Sequence, residues 1–254
     1  MLAAERKRQI IDYVTTQKIA TIEELSQRYD VHEATIRRDL TEIEKDGILR
    51  RIHGGVVLEE VSSEPNVVER ATSHIDEKQA IGEAAAALVE DGETIILDSG
   101  TTTYYVALAL KKKRNVTILT NDLQVAITLK DSPQLKVIVT GGTLLKDSYM
   151  LTGMFTDEML RQVRVHKAFI GTPAIESQQG VMHFDETITA GKRAMIQAAK
   201  EVIVVADHTK FGATSRYQVA SPHMLDMIVT SSLIHPKERQ AFQQLNCRVI
   251  EVTL

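Results

Sequence analysis

Thr35, Arg37, Arg38 and Thr41 crowd one short stretch and have the types and spacing to contact a nucleic-acid surface. Within the same stretch Ile36, Leu40 and Ile43 recur at i, i+4 and i+7, which marks the buried stripe of an amphipathic helix from about Glu33 to Lys45. At about 100° per residue, Arg38 and Lys45 fall nearly opposite Ile36, and Arg37 flanks them. Arginine pairs bidentately with guanine in a major groove, and threonine hydroxyls reach bases or phosphates. Asp39 sits near the edge of the apolar stripe and is read as structural, orienting a neighbouring arginine. Arg50, Arg51 and His53 lie on or beside a His53-Gly54-Gly55 turn and form a cationic wing able to reach phosphates or a minor groove.

A second group has chemistry suited to an anion. Asp98-Ser99-Gly100-Thr101-Thr102-Thr103 follows an apolar run and precedes a helical pattern. Such a loop aims backbone N–H groups and the positive end of a helix dipole at whatever lies above the strand. Its hydroxyls add donors, and Gly100 permits close approach. The alternative reading is a plain Ser/Thr cap between strand and helix. The loop is neither a Walker loop nor a dinucleotide fingerprint. The run Thr120-Asn121-Asp122, the pair Gly141-Gly142, and the run Asp207-His208-Thr209-Lys210 also follow apolar runs. Ligands of open α/β sheets bind beyond the carboxyl ends of strands, so these clusters together favour a pocket. Asp185, Glu186 and Lys192 lie between and could complete it, the lysine against a phosphate and the carboxylates against sugar hydroxyls.

Two sets of elements must hold these groups. Residues 1–58 read as three short helices and a hairpin. Ile10, Ile11 and Val14 stripe the first helix, and Thr21 with Glu24 forms a capping box for the second. Gly47 is a plausible stop for the third, and Ile48–Ile52 and Val56–Leu58 read as strands around the glycine turn. This is a winged helix-turn-helix layout. Residues 59–75, of mixed charge and with Pro65, read as a linker. From residue 76 to 254, seven short apolar runs alternate with helical patterns. That pattern predicts an α/β domain with a mostly parallel sheet and helices on both faces.

Composition excludes several classes. The 254 residues are 43% hydrophobic and 25% charged, which is ordinary globular usage. The single cysteine, Cys247, forms no internal disulfide and is read as a small buried residue. No run approaches the roughly 18–20 apolar residues of a membrane span. The N-terminus shows no signal peptide, and a cytoplasmic location is expected. Net charge is −4, and residues 1–60 hold ten Lys and Arg against twelve Asp and Glu. Nucleic-acid binding therefore rests on arrangement: basic residues gather at Arg6-Lys7-Arg8, Arg37-Arg38 and Arg50-Arg51. The eight histidines are scattered, with none at the i, i+4 spacing of helical metal pairs, so no metal and no cofactor is expected.

The run Ala34-Thr35-Ile36-Arg37-Arg38-Asp39-Leu40, with Leu49-Arg50-Arg51 and His53-Gly54-Gly55, resembles the DNA-binding domain of the DeoR family of bacterial transcriptional regulators. Arg6, Ile10 and Val14 match that family's first helix. The resemblance continues through Asp98-Ser99-Gly100-Thr101-Thr102, Thr120-Asn121, Gly141-Gly142, Lys192-Arg193-Ala194-Met195 and Asp207-His208-Thr209-Lys210. His32 departs from it, standing where the family usually has a small residue such as serine. So does Ala190, where an acidic residue is usual. The resemblance implies a repressor of a carbohydrate-metabolism operon that binds double-stranded operator DNA. It further implies a sensor domain similar to sugar-phosphate isomerases, holding a phosphorylated sugar or sugar-like effector on the Asp98–Thr103 loop. A homo-oligomer, dimer or tetramer, is expected because helix-turn-helix proteins usually read paired half-sites. The rival reading is an isomerase-type enzyme with an appended DNA-binding domain, using Asp185, Glu186 or Asp207 as general base.

Overall fold

The computed structural model describes residues 2–17, 19–44, 49–52, 54–58 and 66–254. The chain divides into two compact units, residues 1–62 and 63–254.

The first unit contains α1 (Ala3–Gln17), β1 (Ile19–Thr21), α2 (Ile22–Tyr29), α3 (Glu33–Glu44), β2 (Leu49–Ile52) and β3 (Gly55–Leu58). The strands form an antiparallel sheet of order β1-β3-β2. Its core includes Ile10, Val14, Leu25, Ile36, Leu40 and Ile43, which belong to the stripes read from helical spacing, together with Leu49 and Val56 of the strands. The capping box of α2 is present: Glu24 N–H donates to Thr21 Oγ1 at 3.1 Å, and Thr21 N–H to Glu24 Oε2 at 2.7 Å. At the start of α3, His32 Nδ1 accepts from Ala34 N–H at 3.2 Å, so the imidazole serves where a serine hydroxyl would. Strand β1 is an addition to the expected hairpin. Gly55 admits it, since a Cβ there would lie 2.5 Å from the Ala20 carbonyl oxygen. The expectations for Lys45, Gly47, Ile48 and His53 lie outside the described residues.

The second unit begins with α4 (Val67–Thr72) and α5 (Ile75–Ala87), so part of the stretch read as linker is helical. It continues with β4 (Thr94–Leu97), α6 (Thr101–Leu110), β5 (Val116–Thr120), α7 (Leu123–Leu129), β6 (Leu135–Val139), β7 (Thr143–Leu144), β8 (Leu151–Thr152), α8 (Met154–Arg161), β9 (Val165–Gly171), β10 (Ala174–Glu176), β11 (Gly180–His183), α9 (Glu186–Ala198), β12 (Ala199–Val205), β13 (Tyr217–Ala220), β14 (Met227–Ser231), α10 (Pro236–Gln244) and β15 (Arg248–Val252). Seven strands form one parallel sheet of order β15-β14-β12-β9-β4-β5-β6. Alternate residues along each strand enter opposite cores, because successive side chains point to opposite faces. Ile95, Leu97, Phe169, Ile203 and Val205 pack beneath α5, α6 and α7. Ile96, Ala168, Ile170, Val202 and Val204 pack against the face covered by α8, α9 and α10. Residues β10, β11 and β13 form a small antiparallel sheet, and β7 pairs with β8.

The strand order sets the place of a site. From β4 the chain moves to β5 and β6 on one side, then returns to β9 on the other. The switch point lies between β4 and β9, where the loops at their carboxyl ends diverge and leave a crevice.

Candidate functional site

In the first unit, α3 buries Ile36, Asp39, Leu40 and Ile43 and leaves Arg37, Arg38 and Thr41 exposed. Thr35 is half-buried. Asp39 is buried and holds an arginine, but the partner is Arg6 of α1, whose Nε donates to Oδ2 at 2.6 Å and Nη2 to Oδ1 at 3.3 Å. This bidentate pair anchors α1 to α3, and it raises the already high pKa of the guanidinium. Arg37 bonds Glu33 one turn back at 3.1 Å. Arg51 lies on β2, and its Nε donates to Glu44 Oε2 at 2.7 Å and Nη1 to Thr41 Oγ1 at 2.9 Å. The wing strand is thereby tied to the end of α3, and Glu44 is held below the usual carboxylate range, chiefly by the Arg51 backbone N–H. Arg50 is exposed on the same strand. Arg38 is exposed with no ion-pair partner among the described residues, which leaves its guanidinium available to an external acceptor.

In the second unit a cavity of about 270 Å³ opens at the switch point. Ser99, Gly100, Thr101 and Thr102 line it from the β4–α6 loop, and Gly171, Thr172 and Pro173 line it from the end of β9. Basic side chains converge there: Arg70 of α4, Lys78 of α5, Lys192 of α9 and Lys210. Asp122, His183 and the 145–150 segment complete the wall.

Lys192 is 3% exposed and lines the cavity from α9. Its ammonium pairs with Asp98 Oδ2 and donates to the Gly171 carbonyl at 2.7 Å. Asp98 is fully buried and also accepts from Gly171 N–H at 3.0 Å and Ser99 N–H at 2.9 Å. The pair therefore locks the ends of β4, β9 and α9 together. Ser99 Oγ donates to Asp122 Oδ2 at 2.5 Å, while Asp122 Oδ1 caps α7 through Val125 N–H at 2.8 Å. Burial pushes the Asp122 carboxyl above the usual range, against those hydrogen bonds. Lys78 is buried beside the cavity, and its ammonium donates to the carbonyls of Arg70 and Ser73. Burial, with repulsion from Lys210 and Arg70, pushes it down to about 8, against the attraction of Asp207. His183 Nδ1 accepts from Asp185 N–H at 3.1 Å. Burial, then the Lys192 charge, pushes this imidazole down to about 3 and keeps it neutral.

The other residues expected at this site stand elsewhere, each with a local reason. Thr103 is fully buried and bonds the Gly100 carbonyl at 2.9 Å, a first-turn lock for α6. Asn121 turns its amide to the Leu151 carbonyl at 3.1 Å, bracing β8. Gly141 supplies a left-handed backbone at φ +69° with open space around it, and Gly142 serves close packing, since a Cβ there, at φ +121°, would lie 2.4 Å from Thr156 Oγ1. Asp185 caps α9 through Thr187 N–H at 2.9 Å, and Glu186 is exposed in the first turn. Asp207 accepts from Thr209 N–H at 3.1 Å and caps a short 3₁₀ turn. His208 turns to Glu77, with Nδ1 2.9 Å from its carboxylate. Asp122 belongs to the Thr120-Asn121-Asp122 cluster expected here and does line the cavity, whereas Arg70, Lys78, His183 and the Gly171–Pro173 loop were not among the expected site residues. The last had a usable signal, since it too follows an apolar strand; Arg70 and Lys78 had none.

Two family models match the chain: a DeoR-like helix-turn-helix domain over residues 6–61 and a DeoR C-terminal sensor domain over residues 73–232. An uncharacterized HTH-type transcriptional regulator of Bacillus subtilis is 33% identical and spans 100% of this chain and 98% of its own. The HTH-type transcriptional repressor GlcR of the same species is 35% identical over 92% of this chain and 90% of its own. The glycerol-3-phosphate regulon repressor of Escherichia coli is 32% identical over 91% and 92%. Among solved structures, ribose 5-phosphate isomerase A of Methanocaldococcus jannaschii covers 55% of each chain at 18% identity and a TM-score of 0.41. With a helix-turn-helix unit, an α/β sensor unit and relatives matched over nearly the whole length, this chain belongs to the DeoR family of DNA-binding transcriptional regulators.

Proposed function

We propose that the protein is a cytoplasmic, homo-oligomeric repressor of a carbohydrate-metabolism operon, without enzymatic activity, whose DNA affinity is set by a phosphorylated sugar or sugar-like metabolite. The observation that carries this is the cavity at the switch point. It combines the N-terminal turn of α6 and its hydroxyls with Arg70, Lys78, Lys192 and Lys210. A phosphate monoester suits that set, since helix N-termini and converging cations both stabilise an anion. In this reading Ser99–Thr102 and Lys192 hold the phosphate, and Asp122 and His183 meet sugar hydroxyls. Arg70 brings α4 into contact with the same ligand, and α4 is the first described element after the chain leaves the DNA-binding unit, so occupancy has a direct route to the joining segment. The glycerol-3-phosphate regulon repressor among the relatives is consistent with a phosphorylated effector. Against catalysis, none of Asp185, Glu186 and Asp207 lines the cavity, and Asp185 and Asp207 are engaged as caps. Exposed Leu144, Met154 and Phe155 support a self-association surface.

On the DNA side, Arg38 reads bases, Thr35, Arg37 and Thr41 assist from the same helix, and Arg50, Arg51 and His53 hold phosphates. The test is fluorescence anisotropy with a duplex selected from random DNA by the full chain, with sugar phosphates added in turn. Operator binding that one sugar phosphate changes, and its free sugar does not, supports the reading. Arg38→Ala is expected to lower discrimination between selected and random duplexes by about 1–3 kcal/mol per base contact. Unchanged discrimination removes Arg38 as a reader.

A further inference from the structure

The fold gathers two histidines and a glutamate that are distant in sequence. His74 and Glu77 stand three residues apart at the start of α5, and His208 follows β12. One potential donor atom from each lies within 4.8 Å of the others. His208 Nδ1 is 2.9 Å from Glu77 Oε1, and His74 Nδ1 is 3.2 Å from the same oxygen. The two rings meet edge to face at 5.3 Å between centroids. The second carboxylate oxygen is already occupied: Ser231 Oγ donates to Oε2 at 2.7 Å and His208 N–H at 3.3 Å. His208 Nδ1 is also 2.9 Å from Oε2, so this imidazole meets both carboxylate oxygens while His74 meets Oε1, and the Ser231 hydroxyl fixes the carboxylate through Oε2.

We propose that His74, Glu77 and His208 form a binding site for a borderline divalent cation of the zinc class. Two imidazoles and one carboxylate are a common donor set for such ions, with solvent completing the coordination sphere. Donor–ion distances of about 2.0–2.2 Å in tetrahedral geometry put donor atoms roughly 3.3 Å apart, close to the two imidazole–carboxylate separations of 2.9 and 3.2 Å, while the third side of the triangle lies within 4.8 Å. The access is one-sided. The side chain of Glu77 is 4% exposed, while those of His74 and His208 are 24% and 20% exposed, which gives an ion a way in and leaves room for water. The Ser231 hydroxyl takes the orienting role that outer hydrogen bonds play around metal-binding carboxylates. Binding would replace protons on the two Nδ1 atoms and fasten the corner between α4 and α5 to the loop that carries Lys210. This inference is independent of the effector reading, since none of the three donors lines the cavity.

The experiment is a calorimetric titration of chelator-treated full-length protein with Zn²⁺, paired with visible absorption on adding Co²⁺. The expected result is one ion per chain, with Co²⁺ bands typical of a four- or five-coordinate site. His74→Gln and His208→Gln should each weaken binding by at least about tenfold, the loss seen even when outer-sphere partners are removed. His223→Gln, on an exposed histidine elsewhere, should leave binding unchanged. Co²⁺ absorption in the unmodified protein is a readout that does not depend on any variant folding. Failure to saturate near one equivalent, or binding that neither histidine variant weakens, overturns the proposal and makes the trio a hydrogen-bonded cluster only.

Discussion

Lys192 and Asp98 carry opposite charges with almost no solvent at either. Such a pair tolerates joint replacement far better than the loss of one partner, which strands a buried charge. Lys192→Met is expected to lower unfolding free energy by about 3–5 kcal/mol, and Asp98→Asn with Lys192→Met to recover a good part of it. Urea denaturation of the two single variants and the double variant checks this; strictly additive losses would contradict the coupling. His183 makes a pH prediction with a definite sign. Its folded value is pushed from 6.5 down to about 3, so between those values the unfolded chain binds a proton that the folded chain does not. Stability from this group is therefore complete above about pH 6.5 and is lost as pH falls toward 3. Denaturation midpoints at pH 7.5 and 5 should drop less in His183→Gln than in the unmodified protein, and equal drops would contradict the assignment.

Among the elements, α2 owes its start to the Thr21–Glu24 capping box. Thr21→Ala should cost about 1 kcal/mol by thermal or chemical unfolding, the usual loss for an N-cap hydroxyl. A change within error would mean the box contributes nothing in this context. Elements with a strong period were legible in the sequence: the stripes of α1, α2 and α3, and the seven strands of the parallel sheet with the helices between them. Elements without a period were not. β1, β7, β8 and β10 have two or three residues each, too few to show alternation, and β1 moreover pairs with β3, more than thirty residues on. α4 has no buried residue of its own, so no apolar stripe announced it. The same distinction runs through the cavity. The Ser99–Thr102 loop could be read because a strand-to-helix junction places it. Lys192 could be picked by residue type, but its burial against Asp98, 94 positions away, could not. Arg70 and Lys78 reach the cavity only because α4 and α5 fold over the sheet end. His74 and His208 show the converse, scattered in sequence and adjacent in the fold.

For the whole molecule, net charge of −4 makes DNA affinity depend on local basic faces rather than on overall attraction. Operator affinity should fall linearly with salt on a double-logarithmic plot, with a slope set by the phosphates contacted. Arg50→Ala should flatten that slope by about 1 without changing base preference, and an unchanged slope would remove Arg50 from the phosphate contacts. The sensor cavity is proposed to take a phosphorylated sugar. The most direct test is thermal unfolding of the full chain against sugar phosphates, each paired with its unphosphorylated sugar. A ligand at about 100 times its Kd adds about 2.7 kcal/mol to the folded state, which is readily seen as a shift in Tm. A shift is expected for one phosphate, none for its free sugar, and loss of the shift when Thr102 is replaced by valine. Equal shifts for the sugar and its phosphate, or none across the panel, would contradict it.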